Sequence, residues 1–252
     1  MMDKKYIENE LSDSPYKIEV QESVTSTNLL LKEKARDGEN EFSVLIASRQ
    51  TAGRGRRGRT FFSPGNTGLY MSILLRPEDD ATSLNVTTDA AVVYARALEK
   101  VSGKKTQIKW VNDIYIDGKK VCGILAESNL DENRYIVLGI GVNVIYPEQG
   151  FPEDIDKTAC ALFEQKTAYA REKTAVCILR EFMNIYQNRD EEKILEEYRI
   201  RNIVPGKDID ILKNGECEKG HAIGIDDDYS LIVKKVTGEI IKISFGDVSV
   251  RI

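Results

Sequence analysis

Between Gly53 and Gly58 the chain reads G-R-G-R-R-G, and Arg59 extends the run, so four guanidinium groups hang from a backbone punctuated by three glycines. Glycine tolerates left-handed dihedrals and lets backbone N–H groups approach closely. Each Arg offers a planar fork of donors that matches a phosphate or carboxylate. The chemistry is that of wrapping an anion. An apolar stretch, S-V-L-I-A-S, precedes the run and F-F-S-P-G-N-T-G-L-Y-M-S follows it, which predicts a loop between two strands. Taken alone, the motif is equally open to a solvated basic loop or an RG-type contact with nucleic acid.

Three further segments carry groups that could do chemistry. Lys109-Trp110-Val111-Asn112-Asp113 ends a predicted strand with an ammonium, an amide and a carboxylate. Gly139-Ile140-Gly141-Val142-Asn143 sets two glycines in a strand, where a missing side chain marks the close approach of a ligand or of another backbone. Ser26-Thr27-Asn28 offers two hydroxyls and an amide at the start of a helix. Each also has a plain structural reading: a surface lysine, a bulge and a helix cap.

The elements that must position these groups are legible from periodicity. I-E-V-Q-E-S-V reads as a first strand after a polar leader over residues 1–15 that is expected to fray. The following helix is capped by Ser26 or Thr27 and closed at Gly38. A longer helix, from about Leu84 to Val101, carries Ala90, Tyr94, Leu98 and Val101 at helical spacing and stops at Gly103. Asp117-Gly118 between apolar runs predicts a two-residue hairpin, and G-I-L-A-E and Y-I-V-L-G-I-G-V-N-V supply further strands. Residues 171–199 read as helical again, with Val176, Leu179, Met183 and Tyr186 on one stripe and Ile194, Leu195 and Tyr198 on another. After Pro205-Gly206 the pattern changes to short strands broken at Asn214-Gly215, Asp227-Asp228 and Thr237-Gly238, which predicts a small SH3-like barrel over 203–252.

Composition narrows the chemistry. At 252 residues, 41% hydrophobic, the chain can bury one large core and a small one. Its net charge of −5 makes the arginine run a local positive feature on an acidic protein, without the broad basic footprint of a general nucleic-acid binder. A single histidine, His221, disfavours Ser-His-Asp, Cys-His and multi-histidine metal chemistry, and reads as a partly exposed strand residue. Cys122, Cys160, Cys177 and Cys217 form no C-x-x-C pair, as reduced thiols in a cytosol would, and no apolar run approaches a membrane span. The expectation is a cytoplasmic protein; no metal ligands are assigned.

In order, T-S-T-N, S-R-Q-T-A-G-R-G-R-R-G-R, F-F-S-P-x-G-N-x-G-L-Y-M-S, K-W-x-N-D, K-x-x-G-I-L-A-E and G-I-G-V-N resemble the biotin protein ligase family, and G-x-A-x-G-I-D and G-D-V-S-V-R carry the resemblance to the C-terminus. The resemblance implies an α+β fold with a central mixed sheet flanked by helices, a catalytic unit over 16–202, and the SH3-like barrel. It further implies activation of biotin by ATP, with Mg2+, to biotinyl-5′-AMP, then transfer to a lysine of a biotin carboxyl carrier domain, by a protein expected to be a homodimer. Carried over by position, Lys109 and Arg56 are the expected catalytic residues. Ser26, Thr27, Asn28, Gln50, Gly53, Arg54, Gly123 and Gly141, with Arg56 and Lys109, would bind biotin. Arg54, Arg56, Arg57, Phe61, Phe62, Asn112, Asn143 and Arg251 would hold the nucleotide. The family usually has Pro where Val111 stands, and the leader is too short for the winged helix-turn-helix of its repressor members, so no operator-specific DNA binding is expected. Lipoate or octanoate ligation on a related fold is the competing enzyme reading. An RG-loop nucleic-acid module is the competing reading of another class. Sheet-edge pairing through G-L-Y-M-S-I-L-L-R or residues 136–144 is the expected route to a dimer.

Overall fold

A computed structural model describes residues 2–77, 80–130, 134–213, 216–244 and 248–251, with the side chains of 80–84, 213 and 248–251 left out of the description. Its larger sheet has seven strands: β1 (Lys17–Gln21), β2 (Ser43–Ala47), β3 (Gly68–Leu75), β4 (Gln107–Lys109), β5 (Asp113–Ile116), β6 (Lys119–Asn129) and β7 (Tyr135–Asn143). They lie in the order β1-β2-β3-β7-β6-β5-β4, with β1 parallel to β2 and every other pair antiparallel. Both β2 and β3 are buried along their whole length, which is why they read as continuous apolar runs rather than alternating ones: both faces of the sheet are covered.

Successive strand residues point to opposite faces, and this divides the molecule into a packing side and a site side. Leu69, Met71, Ile73 and Leu75 of β3, with Ile136, Leu138, Ile140 and Val142 of β7, enter the main core with α3 (Asp80–Ser102) and α4 (Ala170–Gln187). The opposite face meets α2 (Thr27–Arg36), whose Leu31 and Ala35 pack on Leu45, Leu74, Tyr135 and Val137. Beyond that small cluster the α2 face presents Ser72, Gly139, Gly141 and Gly123 instead of apolar side chains. Gly139 lies opposite Ser72, and Gly141 is flanked by Tyr70 and Gly123. That row of small residues is the floor of a cavity.

The leader does not fray. Met2, Ile7 and Leu11 are buried in the main core, and residues Lys4–Glu10 form helix α1, with the Asp3 side chain accepting from the Tyr6 N–H at 3.1 Å. Ile7 and Leu11 are one helical turn apart, and that i,i+4 pair is enough to dock an otherwise polar segment. The predicted helix over 171–199 is two helices, α4 and α5 (Glu191–Arg201), because Asp190 leaves helical dihedrals and caps α5 through the Lys193 N–H. The Asp117-Gly118 hairpin forms with positive φ at both residues, and Gly38 and Gly103 follow the C-termini of α2 and α3 at positive φ. The strands proposed as dimer edges are interior: β3 and β7 pair on both sides, and the sheet ends at β1 and β4.

The smaller sheet is wholly antiparallel, β11 (Ile240–Ile243), β10 (Leu231–Lys235), β9 (Glu216–Ile225), β8 (Asp208–Lys213) and β12 (Val248–Arg251), in that spatial order, consistent with the SH3-like expectation. The predicted turn at Asn214-Gly215 lies outside the described residues. His221 stands exposed on β9, 2.8 Å from the Asp208 carboxylate.

Candidate active site

The cavity on the α2 face has a volume of about 270 Å³ and two chemically different ends. At the neutral end Ser26 occupies the N-cap position of α2, yet its hydroxyl makes no capping bond. Gln50 replaces it: its Oε1 accepts from the Thr27 N–H at 2.9 Å, and its Nε2 donates to Ser63 Oγ at 3.1 Å. Ser72 lies 2.6 Å from Asn28 Oδ1 and 2.8 Å from Thr27 Oγ1. The Thr27 hydroxyl donates to Gln50 Oε1 at 3.2 Å, so between the two hydroxyls Ser72 Oγ is the donor, its single proton serving Asn28 Oδ1 and Thr27 Oγ1. Asn28 Nδ2 donates to Leu125 O and to Glu127 Oε2, each at 3.1 Å. Burial would raise the Glu127 carboxyl, but bonds from Lys32 and Asn28 and the charge of Arg54 hold it below the usual glutamate value.

The cationic end is built from the 48–67 loop on one side and the start of β5 and β6 on the other. Arg54 Nη1 pairs with Glu127 at 3.3 Å, and Arg56 Nη1 donates to Asn112 Oδ1 at 3.1 Å. Arg57 sits in the left-handed region, φ 57°, and its Nη1 donates to Leu212 O of β8 at 2.8 Å. Across the cleft the Lys109 ammonium lies 5.8 Å from the centre of the Tyr115 ring, within cation–π range, and Lys120 Nζ pairs with Asp113 at 2.7 Å. Burial lowers the Lys109 pKa, Asp113 opposes that, and Lys120, Arg59 and Lys207 add to the lowering. Burial likewise lowers Arg56, against the pull of Asp113. Arg54, Arg56, Arg57, Arg59, Lys109 and Lys120 line the cavity, and among the described lining residues the carboxylate is Asp113. Such a surplus of cations, with Lys109 and Arg56 partly buried and Arg54, Arg57 and Arg59 exposed, suits a polyanion.

The model of the biotin/lipoate A/B protein ligase family matches residues 18–143, the stretch that supplies both ends of the cavity. The chain belongs to that family. It is 34% identical over 233 residues to the biotin–[acetyl-CoA-carboxylase] ligase of Mycobacterium tuberculosis, covering 88% of this chain and 85% of that one. Over 145 residues it is 37% identical to the bifunctional ligase/repressor BirA of Bacillus spizizenii, covering 56% of this chain and 45% of the relative, so the match spans less than half of that protein's length. A solved biotin protein ligase from Aquifex aeolicus, in complex with biotin and ATP, superposes with a TM-score of 0.79 at 26% identity, covering 93% of this chain and 98% of that one.

Of the family positions anticipated from the sequence, Ser26, Thr27, Asn28, Gln50, Arg54, Arg56, Arg57, Phe61, Lys109, Asn112, Gly123 and Gly141 all line the one cavity. Asn28 lines it with its amide already committed to Ser72, Leu125 and Glu127. Gly53 does not line it: it sits on the outer side of the loop, where a Cβ would come within 2.5 Å of Phe61 O. Phe62 points away as well, packing against Phe151 with ring centres 6.2 Å apart. Asn143 donates to Cys160 O at 3.1 Å and so braces a loop rather than the cavity. For Phe62 and Asn143, side-chain direction decided the outcome, and neighbouring positions in a loop or strand point to opposite sides. Arg251 lies on β12 opposite Asp210, and its side chain is outside the described residues.

The sequence reading missed Lys120 and Tyr115, and it noted the Asp113 carboxylate beside Lys109 without giving it a role. K-x-x-G-I-L-A-E contains Lys120, and the missed signal was its distance from Gly123, three residues on, across a register irregularity in β6. A Cβ at Gly123 would lie 3.2 Å from Lys120 Nζ, so the absent side chain is what lets that ammonium sit on the cavity floor. Tyr115 is pushed up to about 12 by burial and by Asp113, which keeps it neutral beneath Lys109. Among the described residues there is no cluster of three or more His, Cys, Asp or Glu side chains able to hold a metal ion, and no helix is long and apolar enough to cross a membrane.

Proposed function

We propose that this protein is an ATP-dependent biotin protein ligase acting in the cytoplasm on a biotin carboxyl carrier domain, with residues 16–202 as the catalytic unit and 203–252 as the accessory barrel. The observation that carries the reading is the joining, in one cavity, of a neutral hydrogen-bonding end to a strongly cationic one. Biotin has the matching polarity, a neutral ureido ring and a carboxylate separated by an apolar chain. Ser26, Thr27 and Gln50 read the ring, and Phe61, whose ring stands over Gly141 and beside Gly123, flanks the chain. At the far end Lys109, Lys120, Arg54 and Arg56 screen the repulsion between the carboxylate and the triphosphate.

In the first step a carboxylate oxygen attacks the α-phosphorus, a C(O)O–P bond forms, and the bond to the β-phosphate breaks to release pyrophosphate. In the second the acceptor lysine amine attacks the acyl carbon, an amide forms, and AMP leaves with the bonding pair. Lys109 and Lys120 stand where charge moves in the first step, Lys120 held toward the floor by Asp113. Phe61, whose ring edge faces Tyr70, offers an apolar wall to the nucleotide base. Mg2+ carried in on the triphosphate would neutralise part of its charge, and Asp113, paired with Lys120, is the carboxylate among the described lining residues that could help to hold it.

The test is pyrophosphate release on adding ATP and Mg2+ with biotin, lipoate or octanoate in parallel. Release with biotin alone is expected; release only with lipoate or octanoate assigns the family's other chemistry. Tight, salt-sensitive binding to nucleic acid with no dependence on biotin would instead support the RG-loop reading, which is disfavoured by the engagement of Arg54, Arg56 and Arg57 with Glu127, Asn112 and Leu212 O of the same chain. We also propose a homodimer, formed through a sheet margin other than β3 or β7, and sedimentation of a monomer at high concentration with and without biotin and ATP contradicts it.

A further inference from the structure

The segment 109–113 carries Lys109, Asn112 and Asp113 into the cavity, yet only its two end residues, Lys109 and Asp113, belong to regular strand. Its placement therefore depends on what grips it from behind. Tyr198 of α5, fully buried, donates from its hydroxyl to Val111 O at 3.0 Å. The neighbouring Trp110 donates its indole N–H to Tyr229 O, also at 3.0 Å, in the 226–230 turn of the barrel. Tyr229 takes positive φ, 61°, to present that carbonyl, and its ring meets the Tyr198 ring edge-on with centres 5.4 Å apart. A helix and the barrel thus fasten adjacent residues of one short segment through two buried tyrosines in contact. Neither tyrosine lines the cavity.

We propose that Tyr198 is a positioning residue for adenylate formation: its hydroxyl, through Val111 O, sets where Lys109 and Asn112 stand against the α-phosphate. This rests on the ligase reading above. The neutral end of the cavity is built by α2, Gln50 and Ser72, none of which touches Tyr198, so the two functions are separable. Deleting the hydroxyl leaves a buried carbonyl without its donor, and the segment is then free to settle elsewhere by the fraction of an ångström to which a near-attack geometry is sensitive.

The chain has one tryptophan, Trp110, which makes its indole N–H resonance a direct reporter of this segment. The experiment compares the parent with Tyr198→Phe by biotin affinity, by kcat and KM for pyrophosphate release with biotin, ATP and Mg2+, and by the indole resonance of 15N-labelled protein. Biotin affinity within twofold of the parent, kcat lowered about tenfold or more and a displaced, faster-exchanging indole N–H are expected. Replacement of Tyr198 by 4-aminophenylalanine, which restores a donor, should recover both rate and resonance. Should Tyr198→Phe fail to fold, that second variant decides alone: parent-like rate and resonance support the proposal, and loss of either overturns it. An unmoved resonance with kcat within twofold, or biotin affinity falling in proportion to kcat, also overturns it. A parent inert with biotin and ATP sinks the ligase reading instead, and the indole resonance in Tyr198→Phe then decides on its own whether the hydroxyl positions this segment.

Discussion

The two ends of the cavity are held in opposite ways. Around Thr27 the polar groups are already partnered with one another: Gln50, Ser63, Ser72, Asn28 and Glu127 form a connected chain of bonds rooted in β3 and β6, and the shape of that end exists before any ligand arrives. Around Lys109 and Lys120 the cations outnumber the carboxylates beside them, and burial lowers the pKa values of Lys109 and Arg56. A neutral ring can be read by preformed hydrogen bonds at little electrostatic cost. A triphosphate needs a site whose charge is stabilised only when the anion is present, and the unliganded protein bears that cost.

The largest effects should come from breaking the charged end. Lys109→Ala and Lys120→Ala are each expected to slow adenylate synthesis by roughly 10²–10³-fold while biotin affinity changes far less. Single-turnover pyrophosphate release beside equilibrium biotin binding checks this, and equal proportional losses in both would refute the division between the ends. The pH dependence has a defined sign. Lys109 is lowered chiefly by burial, so it gives up its proton at lower pH than an ordinary lysine and the rate falls early on the alkaline side. Lys109→Arg should move that limb to higher pH, which a pH–rate profile reads directly.

Arg56→Ala removes both a charge and the bond to Asn112, leaving the neutral end intact. The enzyme should still fold and make adenylate but release it about 10- to 100-fold faster, as expected for one charge-assisted bond. Adenylate dissociation, with labelling of a bystander protein as a second readout, measures it; parent-like values in both remove Arg56 from the retention role.

At the neutral end the effect is structural. A Cβ on Gly139 would fall within 3.0 Å of Asn28 Oδ1, an amide already fixed by Ser72, Leu125 and Glu127. Gly139→Ala should therefore cost about 1–3 kcal/mol in urea unfolding and weaken biotin binding. Unchanged stability would mean that the bond network yields more readily than its connectivity implies. Lys32→Ala, which breaks an ion pair with Glu127 at 2.9 Å on the periphery of that network, should cost under about 1 kcal/mol, since both partners retain some contact with water. A larger loss in the same unfolding experiment would show that Lys32 holds Glu127, and through it Asn28, in place.

Motif and turn chemistry were the most readable features. Asp117-Gly118, Gly38 and Gly103 act where the sequence places them because positive φ leaves few residue choices. Helix α1 was hidden because two apolar residues in a polar leader carry little periodic signal until a partner surface exists. The break between α4 and α5 was hidden for a related reason, since the apolar stripes on either side of Asp190 both continue at helical spacing. Gly139 and Gly141 were read as places where a ligand or another backbone comes close, whereas the groups that stand over them are the side chains of Asn28 and Phe61.

What the sequence determined by itself is the inventory: an arginine-glycine loop, a lysine-asparagine-aspartate segment, a capped hydroxyl pair and a barrel's worth of short strands, in an order that resembles the biotin protein ligase family. Only the tertiary structure decided which members of that inventory face one another. Phe61 enters the cavity while Phe62 leaves it, and Asn112 meets Arg56 while Asn143 turns to Cys160. Lys120 reaches the floor because Gly123 has no side chain to exclude it. The physical reason is that residue type fixes what a group can do, whereas the direction of a side chain is fixed by the pleat, register and packing of strands far apart in the chain.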